Sequence, residues 1–169
     1  KDNGRPLVFR DFADAKQIKE RLGDCGSALI LGGGILGLEL AGALYKMSTG
    51  TTRSAAKTDC SLEHIAVVQR SSFVGKPLLD APAAAWLQDR MQANDIKLFL
   101  NDTVDHVEGQ TAHLTSGRTW DFDIFVQAVG ITPSFPEVPN LKTGRGIQID
   151  EHARTNLPFF FNDTATTET

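Results

Sequence analysis

Cysteine is nearly missing from this chain. Cys25 and Cys60 stand far apart, with no C-x-x-C pair, among 169 residues. A disulfide framework and a local dithiol motif are thereby excluded, and two unpaired thiols are expected. Positive charge is also short, the net charge being −4, so no basic face advertises nucleic acid or an anionic membrane. No apolar run approaches the ~20 residues of a membrane span. The polar residues at the start do not read as a signal peptide, and a cytoplasmic location is the expectation. The histidines His64, His106, His113 and His152 are scattered without metal-ligand spacing. No Ser/His/Asp or Cys/His arrangement stands out either.

What is present is an ordinary globular composition, 41% hydrophobic and 22% charged, with length enough for one domain and a core. One stretch organises the rest. Ala28-Leu-Ile-Leu31 is an apolar run of the length a buried strand needs. Gly32, Gly34 and Gly37 follow at G-x-G-x-x-G spacing, and a helical pattern then begins with Ile35, Leu38 and Ala41 on one side. In that context Gly32 permits a tight reversal, Gly34 admits a pyrophosphate to the backbone, and Gly37 lets the helix lie against the strand. The N–H groups of the first helical turn then face the phosphates, and the helix dipole favours their charge. A glycine turn that binds nothing is the structural alternative, which the flanking strand and helix argue against.

Before that stretch, Asp11 reads as a helix cap with Asp14 completing a weak capping box, and Phe12, Ala15, Ile18 and Leu22 fall on one face. This helix precedes the glycine turn, so residues 1–26 read as a linker and helix. After the turn, the helix runs to about Lys46, and Ser48–Ser61 reads as a mobile insertion, long for a helix-to-strand connection. His64–Gln69 is a second buried strand. In a dinucleotide fold an acidic residue at its end accepts hydrogen bonds from the adenosine ribose, but Gln69 stands here, followed by Arg70. A neutral residue beside an arginine removes repulsion against a 2′-phosphate and supplies a cation for it. That leans towards NADPH, with Arg70 as a merely solvated charge the open alternative.

Asp80 caps the next helix, with Pro82 in its first turn. Trp86 is expected in the core, and Asn94 is expected to close the helix in the left-handed conformation. Ile96–Leu100 is a third strand. Thr103–Glu108, Thr111–Thr115 and Arg118–Phe122 form an antiparallel meander. Asp123–Ala128 is again a buried strand, and Gly146–Asp150 a last short one. The fold class that follows is α/β, a Rossmann-like three-layer βαβ dinucleotide-binding domain with an antiparallel β-meander.

Three motifs carry a family resemblance: Gly32-Gly-Gly-Ile-Leu-Gly-Leu-Glu39, Ala128-Val-Gly-Ile-Thr-Pro133, and Gly146 to Thr155. From about Arg10 to Pro158 the chain resembles the NAD(P)H-binding domain of FAD-dependent pyridine nucleotide–disulfide oxidoreductases. The nearer branch is that of rubredoxin reductases, ferredoxin reductases and the nitrite-reductase large subunit. The resemblance implies that Gly32, Gly33, Gly34 and Gly37, with the amides of Ile35 and Leu36, hold the NAD(P)H pyrophosphate. It places Glu39 near the nicotinamide, Gln69 and Arg70 at the adenosine end, and Ala128 and Gly130 along the cleft. In a full-length enzyme, hydride would pass from NAD(P)H to FAD, and electrons onward to a redox acceptor.

The chain also departs from that pattern. The family's earlier flavin-binding unit and its redox Cys pair are absent from this sequence, Thr132 stands where the family often has arginine, and no Gly-Asp follows Pro158. Residues 27–158 are therefore read as the NAD(P)H-binding domain of a fragment whose FAD-binding domain is missing, inactive alone and prone to associate through uncovered apolar surface. Residues 159–169 read as a non-family tail, in the manner of translated adapter sequence. A methyltransferase-like nucleotide-binding domain is an alternative, weakened by Gln69, because the ribose of S-adenosylmethionine needs the same carboxylate. A non-catalytic Rossmann fragment is another.

Overall fold

The computed structural model describes residues 5–23, 25–50, 62–76, 78–130 and 133–158. Most of the expected insertion, with Cys60, Thr132 and the 159–169 tail, lies outside the described residues. The chain divides into two units, Lys1–Gly130 and Ile131–Thr169.

In the first unit the elements run β1 (Leu7–Val8), α1 (Phe12–Arg21), β2 (Ser27–Leu31), α2 (Ile35–Ser48), β3 (His64–Gln69), α3 (Ala81–Ala93) and β4 (Ile96–Leu100). They continue with β5 (Val104–Glu108), β6 (Thr111–Leu114), β7 (Thr119–Asp121) and β8 (Ile124–Gln127). Five strands form a sheet in the order β1-β8-β2-β3-β4, every neighbouring pair parallel. The sequences of β2, β3 and β8 are almost wholly apolar because both faces of this sheet are covered. On one face Ala28, Ile30, Ile65, Val67, Leu98 and Val126 pack with Ile18 of α1, Leu40 and Leu44 of α2, and Met91 of α3. On the other, Leu29, Ala66, Val68, Phe99 and Phe125 pack under Ala112, Leu114, Phe122 and Trp120 of the meander β5-β6-β7. The result is three layers, helices over parallel sheet over meander. Each fully buried Leu, Ile or Val contributes about 1.5–3 kcal/mol.

The meander is fastened by a buried carboxylate. Asp102, whose side chain is fully buried, accepts hydrogen bonds from Thr115 Oγ1 at 2.8 Å, the Ser116 N–H at 3.1 Å, Ser116 Oγ, and Arg118 Nη2 at 2.9 Å. Its own N–H donates to the Gln69 carbonyl at 3.1 Å, tying the end of β3 to the same point. Burial alone would raise this carboxyl, but the donors of Ser116, Thr115 and Arg118 outweigh it and hold it well below the usual carboxylate range.

The structure differs from the sequence reading in several places. The segment read as linker is built into the unit: Leu7 and Val8 pair with Val126 and Gln127 at the sheet edge, and Ile18 and Leu22 lie in the core. Phe12 is 85% exposed rather than packed. Six positions before Ile18, at about 100° per residue, it lies on a different side of the helix. Trp86 is also exposed, with Arg90 stacked over its ring at 5.7 Å, because Ala84 and Met91 take the buried stripe of α3. The left-handed residue closing α3 is Asp95, at φ 58°, not Asn94.

In the second unit, Thr143 and Ile147 form an isolated bridge in place of the strand expected over Gly146–Asp150. Turns satisfy this backbone instead of a ladder. The Gly144 N–H donates to the Gly146 carbonyl at 2.8 Å, and Asp150 Oδ1 accepts from the N–H groups of His152 and Arg154. The Arg154 N–H foremost, with the His152 N–H and the Arg154 side chain, lowers the Asp150 carboxyl against the opposing effect of burial.

Candidate functional site

The strand order places a crevice. From β2 the chain crosses through α2 to β3 on one side, while β8 lies on the other. Open parallel sheets bind ligands outside the carboxyl ends of the strands at such a switch point, and here the glycine turn occupies it. The Gly32 N–H donates to the Val68 carbonyl and the Ala128 N–H to the Leu31 carbonyl, each at 2.8 Å, so the turn leaves the sheet between its two neighbours.

The glycines do different work. Gly32 has φ +114°, and a Cβ there would collide with the Ala128 carbonyl oxygen. A Cβ on Gly37 would collide with the Gly32 carbonyl oxygen, so α2 starts flush against the strand. Around Gly34 a Cβ would meet nothing. That open space adjoins the start of α2, where Gly34 is the N-cap and supplies no side-chain cap. The first bond into the helix runs from Leu38 N–H to the Gly34 carbonyl at 2.9 Å. The N–H groups of Ile35, Leu36 and Gly37 therefore have no carbonyl within the helix. No acidic residue lies in this first turn, so nothing there competes with an anion for the dipole.

Gln69 ends β3 beside the turn. Its Oε1 accepts the Gly33 N–H at 2.8 Å, its Nε2 donates to Ser71 Oγ at 2.6 Å, and Ser71 Oγ donates to the Phe73 carbonyl at 2.8 Å. The Gly33 carbonyl in turn accepts the Gly75 N–H at 2.7 Å. The amide expected at the ribose is thus committed to the backbone of the turn. Arg70 is exposed, and Lys76, also exposed, lies over the Phe73 ring at 5.4 Å. Glu39 is exposed just past the first turn of α2, and Ala128 is half-buried at the end of β8. Gly130 has φ +93°. Ile35, Leu36 and Val129 are exposed apolar residues beside the turn. The glycine, Gln69, Arg70, Ala128 and Gly130 positions therefore gather at the carboxyl end of the sheet.

Sequence reasoning missed the Gln69 bracket and Lys76. The first was hidden because a polar residue at a strand end signals exposure, not which backbone group it serves. It also missed that His106 and His113 meet across strands as a stacked pair with ring centroids 4.4 Å apart.

A family model described as pyridine nucleotide-disulphide oxidoreductase matches residues 3–162. The chain belongs to that family. Its fold is shared with solved structures at low identity. A ferredoxin reductase from Rhodopseudomonas palustris is 21% identical with a TM-score of 0.67, covering 88% of this chain and 35% of that one. An NAD-dependent persulfide reductase from A. fulgidus is 22% identical with a TM-score of 0.64, covering 89% and 27%. An engineered water-forming NADPH oxidase bound to NADPH is 19% identical with a TM-score of 0.67, covering 91% and 32%. This oxidoreductase-family chain therefore spans only about a quarter to a third of each of these structures. Among the described residues, no helix is long and apolar enough to cross a membrane.

Proposed function

We propose that this chain is the NADPH-binding domain of an FAD-dependent oxidoreductase, holding the dinucleotide so that its nicotinamide can reach a flavin on a separate domain. The observation that carries the reading is the uncapped start of α2 beside the open space at Gly34, set at the switch point between β2 and β8. A pyrophosphate fits that place because the N–H groups of Ile35, Leu36 and Gly37 supply donors and no side chain fills the space. When bound, the nicotinamide supplies a hydride donor. The chain's own residues bind and orient, with Gly34 admitting the phosphates, Ile35, Leu36 and Val129 giving apolar walls, and Ala128 and Gly130 shaping the far side. Glu39 is assigned to the nicotinamide end.

The 2′-phosphate is assigned to Arg70 and Lys76. A neutral Gln69 presents no carboxylate to repel it, and two exposed cations lie on one short loop. The spacing has a parallel. In the engineered NADPH oxidase, consecutive aspartate, alanine and methionine are replaced by alanine, arginine and serine, and a proline five positions later by arginine. Gln69, Arg70 and Ser71 are likewise neutral, cationic and hydroxylic, with Lys76 five positions after Ser71. The electron acceptor of the whole enzyme is assigned to the class of redox proteins, as with the ferredoxin reductase it resembles.

Titration with NADPH and NADH, followed by nicotinamide fluorescence, tests the reading. Saturable binding with at least tenfold preference for NADPH, about 1.4 kcal/mol, is expected. No binding by folded protein would leave a non-catalytic Rossmann fragment.

A further inference from the structure

We infer that Gln69 is a positioning residue that acts through Gly33, locking the phosphate-binding turn and the 70–76 loop into one body, rather than a residue that touches the ribose. The inference deepens the proposed dinucleotide site and rests on that reading.

The hydrogen-bond directions leave one arrangement. The Gly33 N–H can only donate, so the Gln69 oxygen must face it. The Gln69 amide nitrogen then faces Ser71 Oγ, which accepts from it and passes its own proton towards the Phe73 carbonyl. From the other side Gly75 N–H closes on the Gly33 carbonyl. Both backbone groups of Gly33 are thus held, one by the end of β3 and the other by the loop that follows. Packing repeats the message. A Cβ on Gly33 would lie 3.1–3.3 Å from Val74 and Gln69 carbons. Val74 is fully buried, and its N–H donates to Gln88 Oε1 of α3 at 3.1 Å. The loop carrying Arg70 and Lys76 therefore cannot shift without moving the turn beside Gly34. One amide sets the spacing between the pyrophosphate seat and the two cations.

A glutamate in the same place could still accept from Gly33 but could not donate to Ser71. The Ser71 hydroxyl would have to turn from Phe73 to the carboxylate, and the new charge would stand one residue from Arg70. A leucine would keep the volume and lose both bonds, leaving the Gly33 N–H unpartnered.

The experiment measures amide hydrogen exchange at Gly33 in the ligand-free protein, together with titrations by NADPH and NADH, in wild type, Gln69→Leu and Gln69→Glu. Gln69→Leu should speed Gly33 exchange at least tenfold while the amides of β2 and β3 keep their protection. It should weaken NADH about tenfold and NADPH at least as much, because both use the same turn and only NADPH also uses the two cations. Gln69→Glu should keep Gly33 protected and NADH binding within about threefold, and lose NADPH at least tenfold. Unchanged Gly33 exchange in Gln69→Leu would overturn the inference, as would a loss confined to NADH, which would mark a direct ribose contact. Wild type that binds neither nucleotide would overturn the dinucleotide reading, and with it the role in binding, whereas the exchange at Gly33 decides the lock on its own.

Discussion

The fully buried Asp102 carboxylate and the half-exposed Arg118 guanidinium meet at 2.9 Å. They join the end of the parallel sheet to the meander that covers it, and Arg118 also lies over the Phe99 ring at 4.9 Å. Asp102→Ala should destabilise the unit by about 2–3 kcal/mol, because the Ser116 and Thr115 donors lose a charged acceptor. The folded-state carboxyl lies below its ordinary value of 3.8. Its contribution is therefore full above that value and lost as pH falls below it towards the depressed folded-state value. Urea unfolding of wild type and Asp102→Ala should show a constant gap from pH 7 down to about pH 4, which only begins to narrow by about pH 3.

Gly34 and Gly37 should separate binding from folding. A Cβ at Gly34 meets no protein atom, whereas one at Gly37 strikes the Gly32 carbonyl. Gly34→Ala is expected to leave the unfolding midpoint unchanged and weaken NADPH at least tenfold, since the methyl would occupy the proposed phosphate seat. Gly37→Ala should cost about 2 kcal/mol or more in stability, despite alanine's better helix propensity. Denaturation curves run beside nucleotide titrations check both.

Arg70→Ala should weaken NADPH about tenfold and leave NADH unchanged, and adding Lys76→Ala should remove the remaining preference. Raising salt from 0.05 to about 0.5 M should weaken NADPH binding to wild type more than to the double variant, because exposed charges are screened. Equal losses for both nucleotides would assign the cations another task.

Trp120 carries an indole N–H that is buried without a partner among the described residues, while its ring meets Phe99 edge-on at 5.7 Å. Trp120→Phe should stay within about 1 kcal/mol of wild type, since the lost contact area is offset by removal of an unsatisfied donor. Phe99→Ala, at the centre of the same cluster, should cost about 3–5 kcal/mol. Thermal unfolding distinguishes the two.

Much of this fold was legible because its signals are local. Asp11 accepts the Asp14 N–H at 3.0 Å and Asp14 answers to the Asp11 N–H at 3.3 Å, as the spacing of the two carboxylates predicts. The glycine turn and the meander also carry short-range patterns. The rest depends on partners distant in the chain. β1 has two residues and no pattern of its own, and only β8, more than a hundred positions later, makes it a strand. Trp86 is apolar and helical, yet which side of α3 faces the sheet was decided by Ala84 and Met91. At the candidate site, the strand-turn-helix context of the glycines could be read directly, but the bracket from Gln69 to Gly33 spans 36 positions.

The same distance shapes how the crevice comes into being. One wall, β2 with β3, is complete once the first sixty-nine residues exist, but the other wall, β8, pairs with β2 across 96 positions of chain. During vectorial synthesis the edge of β2 must wait, unpaired, while α3, β4 and the whole meander emerge. Such late long-range closure slows folding and leaves an open strand edge available to other chains. The Asp123 carboxylate, which accepts the N–H groups of both Gly26 and Ser27 at 2.9 Å, is the latch by which the last strand of this unit finds its place.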